Sequence, residues 1–279
     1  MTKRERTRRR MLQVGGGAAF VGLSGCTGLL SDSSEADEAA PTSTNETAAN
    51  AADDENESNG DTGSNEIEPD ELEEPEEYDL EEPPGALAEI PIPEEPDAAY
   101  PLAGSGDAPV TVRLFGNWKC PYTRWFLFEE FDAFVDEYVR SGTVDLEVHA
   151  VAYRDGRPFY GEDGPRMARA GLAVWERDPE QFWSFLEYVA VNVKGSDWAT
   201  PGRIETVALE AGVDDPEPIG EATEGDAYED RLEETMERVH ELPVSGVPRI
   251  SVEGESYSPI VHQEELDEAI EAAVENATE

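Results

Sequence analysis

A short alternating strand, Val110-Thr111-Val112-Arg113-Leu114-Phe115, runs straight toward Cys120-Pro121, and this junction constrains the fold more than any other stretch of the 279-residue chain. Val110, Val112 and Leu114 share one face, the period-two pattern of a half-buried strand. Proline fits the first turn of a helix but not its interior. Pro121 therefore places a helix start at Cys120. From Pro121 to Arg140, the residues Trp125, Phe128, Phe131 or Asp132, Val135 and Tyr138-Val139 recur at helical spacing. Val144 to Ala150 alternates again, with Val144, Leu146, Val148 and Ala150 on the face expected to be buried and His149 on the outer, exposed face. Strand, helix and strand make a βαβ unit with a cysteine at its first turn.

Helical periodicity continues over Gly164 to Arg177, Pro179 to Val193, Pro201 to Ala211 and roughly Ile219 to His240, broken by Gly, Asp and Pro. Trp175, Phe182, Trp183, Phe185 and Tyr188 in these segments read as core packing. The chain returns to extended structure at Pro248-Arg249-Ile250-Ser251-Val252, turns at Glu253-Gly254-Glu255, and closes with a helix from Glu264 to Asn276.

This order, βαβ, helical insertion, ββα, resembles the DsbA-like branch of the thioredoxin fold. Two local motifs carry the resemblance. Gly106-Asp107-Ala108-Pro109-Val110-Thr111-Val112 leading to Trp118-Lys119-Cys120-Pro121-Tyr122 is similar to the family's lead-in and active-site motif. Val244-Ser245-Gly246-Val247-Pro248, with its proline 128 residues after Cys120, resembles the loop whose cis-proline faces the active-site cysteine. The resemblance implies an α/β thioredoxin-like fold with a helical insertion over about 155–242, and Cys120 as nucleophile in a motif completed by Pro121 and Tyr122. Val247 and Pro248 would hold an extended substrate strand beside the sulfur. A cysteine at a helix N-terminus suits this chemistry, because unpaired amides and the helix dipole favour a thiolate.

The sequence departs from the family's common Cys-x-x-Cys, since Thr123 stands at the second position and the chain's only other cysteine is Cys26. Attack by Cys120 on a disulfide would give a mixed disulfide whose release needs an external resolving thiol, from substrate, small molecule or partner protein. Thr123 would either donate a hydrogen bond to the thiolate or finish the helix terminus. The partners expected are protein or small-molecule thiols and disulfides. No cofactor is expected, and no metal, because His149, His240 and His262 are widely separated. The competing reading is a thioredoxin-fold binding or chaperone-like lipoprotein that keeps the Val247-Pro248 groove but not turnover.

The first hundred residues hold too few large apolar side chains for a core. Residues 1–25 combine a basic start, MTKRERTRRR, with an apolar run from Met11 to Gly25, too short and glycine-rich to span a bilayer. Thr7-Arg8-Arg9-Arg10-Met11-Leu12 resembles a twin-arginine export signal, and Leu23-Ser24-Gly25-Cys26 resembles a lipobox. These resemblances imply export, lipidation at Cys26 and attachment to the outer face of the cytoplasmic membrane. Residues 26–97 read as a solvated acidic tether without one basic residue, and residues 98–279 as the folded domain. Asn45, Asn56 and Asn276 fit the glycosylation pattern.

Acidic residues outnumber basic ones 65 to 20, a formal charge of −45, and only Lys3, Lys119 and Lys194 are lysines. That balance excludes nucleic acid, which needs a basic stripe. It resembles proteins of salt-loving archaea, whose self-repulsion fades where screening lengths shrink to about 3 Å near 1 M salt.

Overall fold

The computed structural model describes residues 78–242 and 246–279. The export signal, Cys26, the tether up to residue 77, and Asn45 and Asn56 lie outside them. Chain order begins with a two-residue edge strand, β1 (Leu102–Ala103), followed by β2 (Val110–Gly116), which delivers the chain to Cys120. Helix α1 (Pro121–Glu129) begins at Pro121, as its ring requires. It ends at Glu130, where φ is −124°, and the chain resumes as α2 (Phe131–Phe134), which runs into a π-helical turn, Val135–Val139. β3 (Val144–Ala150) then lies parallel to β2, with Val112 opposite Leu146 and Leu114 opposite Val148.

The apolar stripe read from sequence is corrected at its start. The buried residues of α1 are Thr123, Phe126 and Leu127, continued by Phe131, Phe134 and Val135, whereas Trp125 is 44% exposed. Thr123, Leu127, Phe131 and Val135 recur every four residues, so the buried line runs through them and leaves Trp125 off it.

The insertion begins with a small hairpin, β4 (Tyr153–Arg154) and β5 (Arg157–Pro158), and continues through α3 (Asp163–Arg177), α4 (Phe182–Asn192), α5 (Pro201–Glu210), α6 (Glu217–Glu221) and α7 (Glu229–Glu241). Its aromatics pack as core. Trp175 and Phe182 meet edge to face at 5.9 Å, Phe182 and Trp183 at 5.2 Å, and Trp183 reaches Phe131 of α2 at 5.6 Å, joining the insertion to the βαβ unit. The helix expected over residues 219–240 is two helices, parted by a turn in which Tyr228 takes a left-handed backbone, φ 62°.

β6 (Arg249–Val252) pairs antiparallel with β2 and turns through Glu253 and Gly254, both with positive φ, into β7 (Glu255–Tyr257). The sheet order is β1-β3-β2-β6-β7. Helix α8 (Gln263–Thr278) closes it, burying Leu266, Ile270 and Ala273.

Two expectations fail outside the sheet centre. His149 is not on an exposed face. It is fully buried, because α7 covers the outer face of β3 and its Thr235 hydroxyl lies 3.1 Å from His149 Nδ1. Residues 78–97, assigned to the solvated tether, pack as a strap against the insertion. Leu87 is 1% exposed, Ala86 and Leu87 donate their amides to the buried Glu187 carboxylate at 2.8 and 3.3 Å, and Asn192 pairs with both backbone groups of Glu81. Among the described residues no helix is long and apolar enough to cross a membrane.

Candidate active site

Cys120 is the N-cap residue of α1 and is only 3% exposed. Its sulfur makes no capping hydrogen bond to the helix amides. Instead the thiol donates to the carbonyl of Val247 at 3.6 Å, and the Val247-Pro248 peptide is cis. The two motifs are thus brought into contact across the β2–β6 pairing, although Val244 and Ser245 lie outside the described residues. Tyr122 stands next to the cysteine and is 68% exposed. A cleft of about 430 Å³, lined by Val151, Phe159, Met236, Val239 and Val247 among others, opens beside the loop.

Thr123 takes the other course. It is fully buried, and its hydroxyl accepts the amide of Asn117 at 3.4 Å. Its methyl packs where a Cβ on Gly116 would sit, 3.0 Å away, so the glycine ending β2 lets the helix start close against the strand. The hydroxyl is thus engaged by the turn that precedes the cysteine rather than by an amide of α1.

Three neighbours of Cys120 escaped the sequence. Asn117 is buried and ties the turn together: its amide nitrogen donates to Val151 O at 2.9 Å and Phe159 O at 3.4 Å, its side-chain oxygen accepts Lys119 N at 3.0 Å, and its carbonyl accepts Cys120 N at 2.9 Å. Lys119 forms a buried ion pair with Asp163 at the start of α3. Burial disfavours the charged Asp163, but hydrogen bonds from Lys119 and from the amides of Ala199 and Trp198 outweigh it and hold the carboxyl below its ordinary value. Tyr160, in the loop after β5, accepts Lys119 Nζ on its carbonyl at 3.4 Å, and burial first, then Cys120, pushes its hydroxyl up to about 12. The lysine and asparagine were visible as motif neighbours, but nothing in their spacing announced partners more than thirty residues away.

His149 cannot serve a metal as it stands, since both ring nitrogens are engaged. Glu147 can only accept, so His149 Nε2 donates to it at 2.7 Å and Nδ1 accepts from Thr235. Among the described residues no group of three or more potential metal ligands is found.

The thioredoxin family profile Thioredoxin_4 matches residues 98–272, which covers the sheet, the insertion and both motifs. The chain belongs to the thioredoxin family, in its DsbA-like branch. Disulfide bond formation protein D of Bacillus subtilis is 27% identical to this DsbA-like chain over 173 residues, 61% of this chain and 75% of that protein. A probable disulfide bond formation protein D of Bacillus cereus is 28% identical over 159 residues, 56% of this chain and 71% of that one. The crystal structure of oxidised BdbD from Bacillus subtilis superposes with a TM-score of 0.56 at 26% identity, covering 63% of this chain and 94% of that one. A thioredoxin-like oxidoreductase from Silicibacter pomeroyi shares the fold, with a TM-score of 0.50 at 23% identity over 68% of this chain and 96% of that one.

Proposed function

We propose that this DsbA-like protein is a thiol-disulfide oxidoreductase that works through one cysteine, Cys120, on protein or small-molecule disulfides outside the cytoplasm. The observation that carries the reading is the Cys120 sulfur at the N-terminus of α1, 3.6 Å from the Val247 carbonyl beside Pro248, in a chain whose relatives are named for disulfide bond formation. The residue three positions on is a buried threonine rather than a thiol, so the domain holds no internal resolving group. Cys120 thiolate attacks a substrate disulfide, one S–S bond forms as another breaks, and the outgoing substrate sulfur leaves as a thiolate. An external thiol then attacks the mixed disulfide and frees Cys120. The twin-arginine-like signal and lipobox support export and a lipid at Cys26, and the acidic composition supports a high-salt setting. On this reading residues 1–25 are the signal, the following segment is the tether, and the folded domain begins near residue 78 rather than 98.

The test uses the full chain carrying Cys26→Ser, in molar potassium chloride, mixed with a disulfide-containing protein. We expect a mixed disulfide at Cys120, seen by mass spectrometry without reductant, that a small thiol releases and that Cys120→Ser cannot form. Substrate binding of equal strength in Cys120→Ser, with no covalent adduct in the parent, would instead mark a binding protein and sink the exchange reading.

A further inference from the structure

The cleft of about 430 Å³ beside the active-site loop has a make-up that exchange chemistry alone does not require. Half-buried Phe159, Met236, Val239 and Val247 give it apolar walls, and the exposed Arg154 lines it with them. Val247 also ties the cleft to the reaction, because its carbonyl lies 3.6 Å from the Cys120 sulfur. A peptide held there lies next to the sulfur.

The arginine is set in place by the β4–β5 hairpin. Asp155 and Gly156 have φ of 52° and 70°, the positive pair that a two-residue hairpin turn needs. That turn puts Arg154 directly opposite Arg157, with both side chains on one face of the hairpin. Like charges in that register oppose the pairing. Neither arginine is ion-paired among the described residues, whereas Arg113, Arg140, Arg169, Arg231 and Arg238 each lie within 3.0 Å of a carboxylate. With 65 acidic residues in the chain, carboxylates are not scarce, so this pair stands open at a cost to the hairpin. Arg154 rests instead with its guanidinium 5.6 Å from the centre of the Phe159 ring. The other titratable groups lining the cleft are Tyr153, Asp155 in the turn and His240 on α7.

We propose that this cleft and the Arg154–Arg157 pair select the substrate: an extended segment whose apolar residue beside the disulfide cysteine enters the cleft while neighbouring carboxylates meet the two arginines. The proposal rests on the exchange function above and adds a substrate class, disulfides set in sequence that is both acidic and apolar. Phe159 makes the two halves of the site adjoin, since it lines the cleft and carries Arg154 on its ring, so one short segment reaches both. A planar guanidinium fork matches a carboxylate in paired hydrogen bonds, which an amide or a hydroxyl cannot equal.

The experiment measures how fast the full chain carrying Cys26→Ser forms mixed disulfides with short peptides. Molar potassium chloride, with screening over about 3 Å, leaves contact between charges and removes long-range attraction. Each peptide carries a leucine beside one cysteine joined by a disulfide to 2-mercaptoethanol. Attack by the Cys120 thiolate on the peptide sulfur forms the new S–S bond and releases mercaptoethanol as thiolate. The peptides place two glutamates, two glutamines or two lysines next to the leucine, or move the two glutamates to the far end. Adjacent glutamates should speed the reaction about fivefold over glutamines, and displaced glutamates should give the glutamine rate. Arg154→Gln combined with Arg157→Gln should erase the ratio, and Arg154→Glu should turn the preference toward lysine. Arg177→Gln, at an exposed arginine on the other end of α3 from Asp163, should keep the ratio. Equal rates for adjacent glutamates and glutamines, a ratio that survives in the double variant, or no reversal in Arg154→Glu overturns the proposal. So does a double variant that speeds every peptide alike, which would assign the cleft to the chain's own acidic residues 27–77. Fluorescence anisotropy of the same peptides with serine for cysteine keeps the two readings apart. If adducts form at rates blind to the glutamates, the cleft assignment falls and the exchange function stands. If no adduct forms while the glutamate peptide binds through Arg154, the exchange function falls and the cleft assignment stands. With neither adduct nor binding, both fall.

Discussion

At the scale of single residues, the polar groups buried near the sheet decide more than the charges on the surface. His149 sits between the rings of Tyr100 and Phe115 at 4.1 and 5.1 Å, fully buried, with Glu147 on one nitrogen and Thr235 on the other. Burial lowers its imidazole from the ordinary 6.5, Arg238 and Arg113 push the same way, and the attraction of Glu147 only partly offsets them. The unfolded chain therefore binds more protons than the folded one as pH falls below 6.5. Stability contributed by the neutral ring is present above 6.5 and is lost progressively toward the lowered folded value, by at most about 1.4 kcal/mol per pH unit. Glu147 and Asp163 are lowered from 4.5 and 3.8, so their losses fall at more acidic pH and leave the window above 5 to the histidine. Thermal unfolding in molar potassium chloride should show the midpoint dropping from pH 7.5 to 5.5. His149→Gln, less stable throughout, should flatten that slope; an equal slope in the variant would remove His149 as its source.

At the scale of elements, what could be read from sequence was what repeats locally. β2 and β3 alternate, Pro121 marks a helix start, and Gly254 marks the hairpin, and each was found where expected. The cysteine and its facing proline were legible for the same reason, since both stand in short motifs attached to those elements. The strap over residues 78–97 has no period at all. It is held by Glu187 and Asn192 of α4, about a hundred positions away, and by single apolar anchors such as Leu87 and Ile90 between prolines. Composition alone made it look like tether. The misplaced His149 has the same origin, because the strand pattern cannot tell that α7 will cover the outer face, and Tyr160 O meets Lys119 only through the folding back of the β4–β5 hairpin. The strap reading is open to a direct check. Leu87→Ala should cost about 2–5 kcal/mol by denaturant unfolding, as for any buried leucine, and expose residues 78–97 to early proteolysis while Cys120 alkylation is unchanged. A change within about 0.5 kcal/mol, the range of surface substitutions, would return the segment to the tether.

At the scale of the whole molecule, the excess of 65 acidic over 20 basic residues has to be reconciled with a densely packed core. The ion pairs among the described residues do little to neutralise it. Arg113–Glu147, Arg140–Asp136, Arg169–Glu229, Arg231–Glu176 and Arg238–Glu234 are each at least partly exposed, and such pairs contribute about 0–1 kcal/mol. Most carboxylates have no cation at hand, so self-repulsion opposes the compact state until salt screens it. Two mechanisms could make salt stabilise this fold, and they scale differently. Screening acts over the Debye length, which falls from about 10 Å at 0.1 M to about 3 Å at 1 M, so its gain should be steep at first and nearly complete by 1 M. Strengthened apolar burial by excluded ions depends on the anion and continues to grow with concentration. If charge repulsion outweighs the other effect, the unfolding temperature should rise steeply up to about 1 M and then level off, with chloride and sulfate curves overlaying when plotted against ionic strength. Continued growth above that point, steeper in sulfate, would assign the salt requirement to the core instead. The same titration read through Cys120 alkylation separates site from scaffold. Because Cys120 is only 3% exposed and buried groups are screened little by salt, its alkylation rate at fixed pH should change far less than the unfolding temperature over the same range.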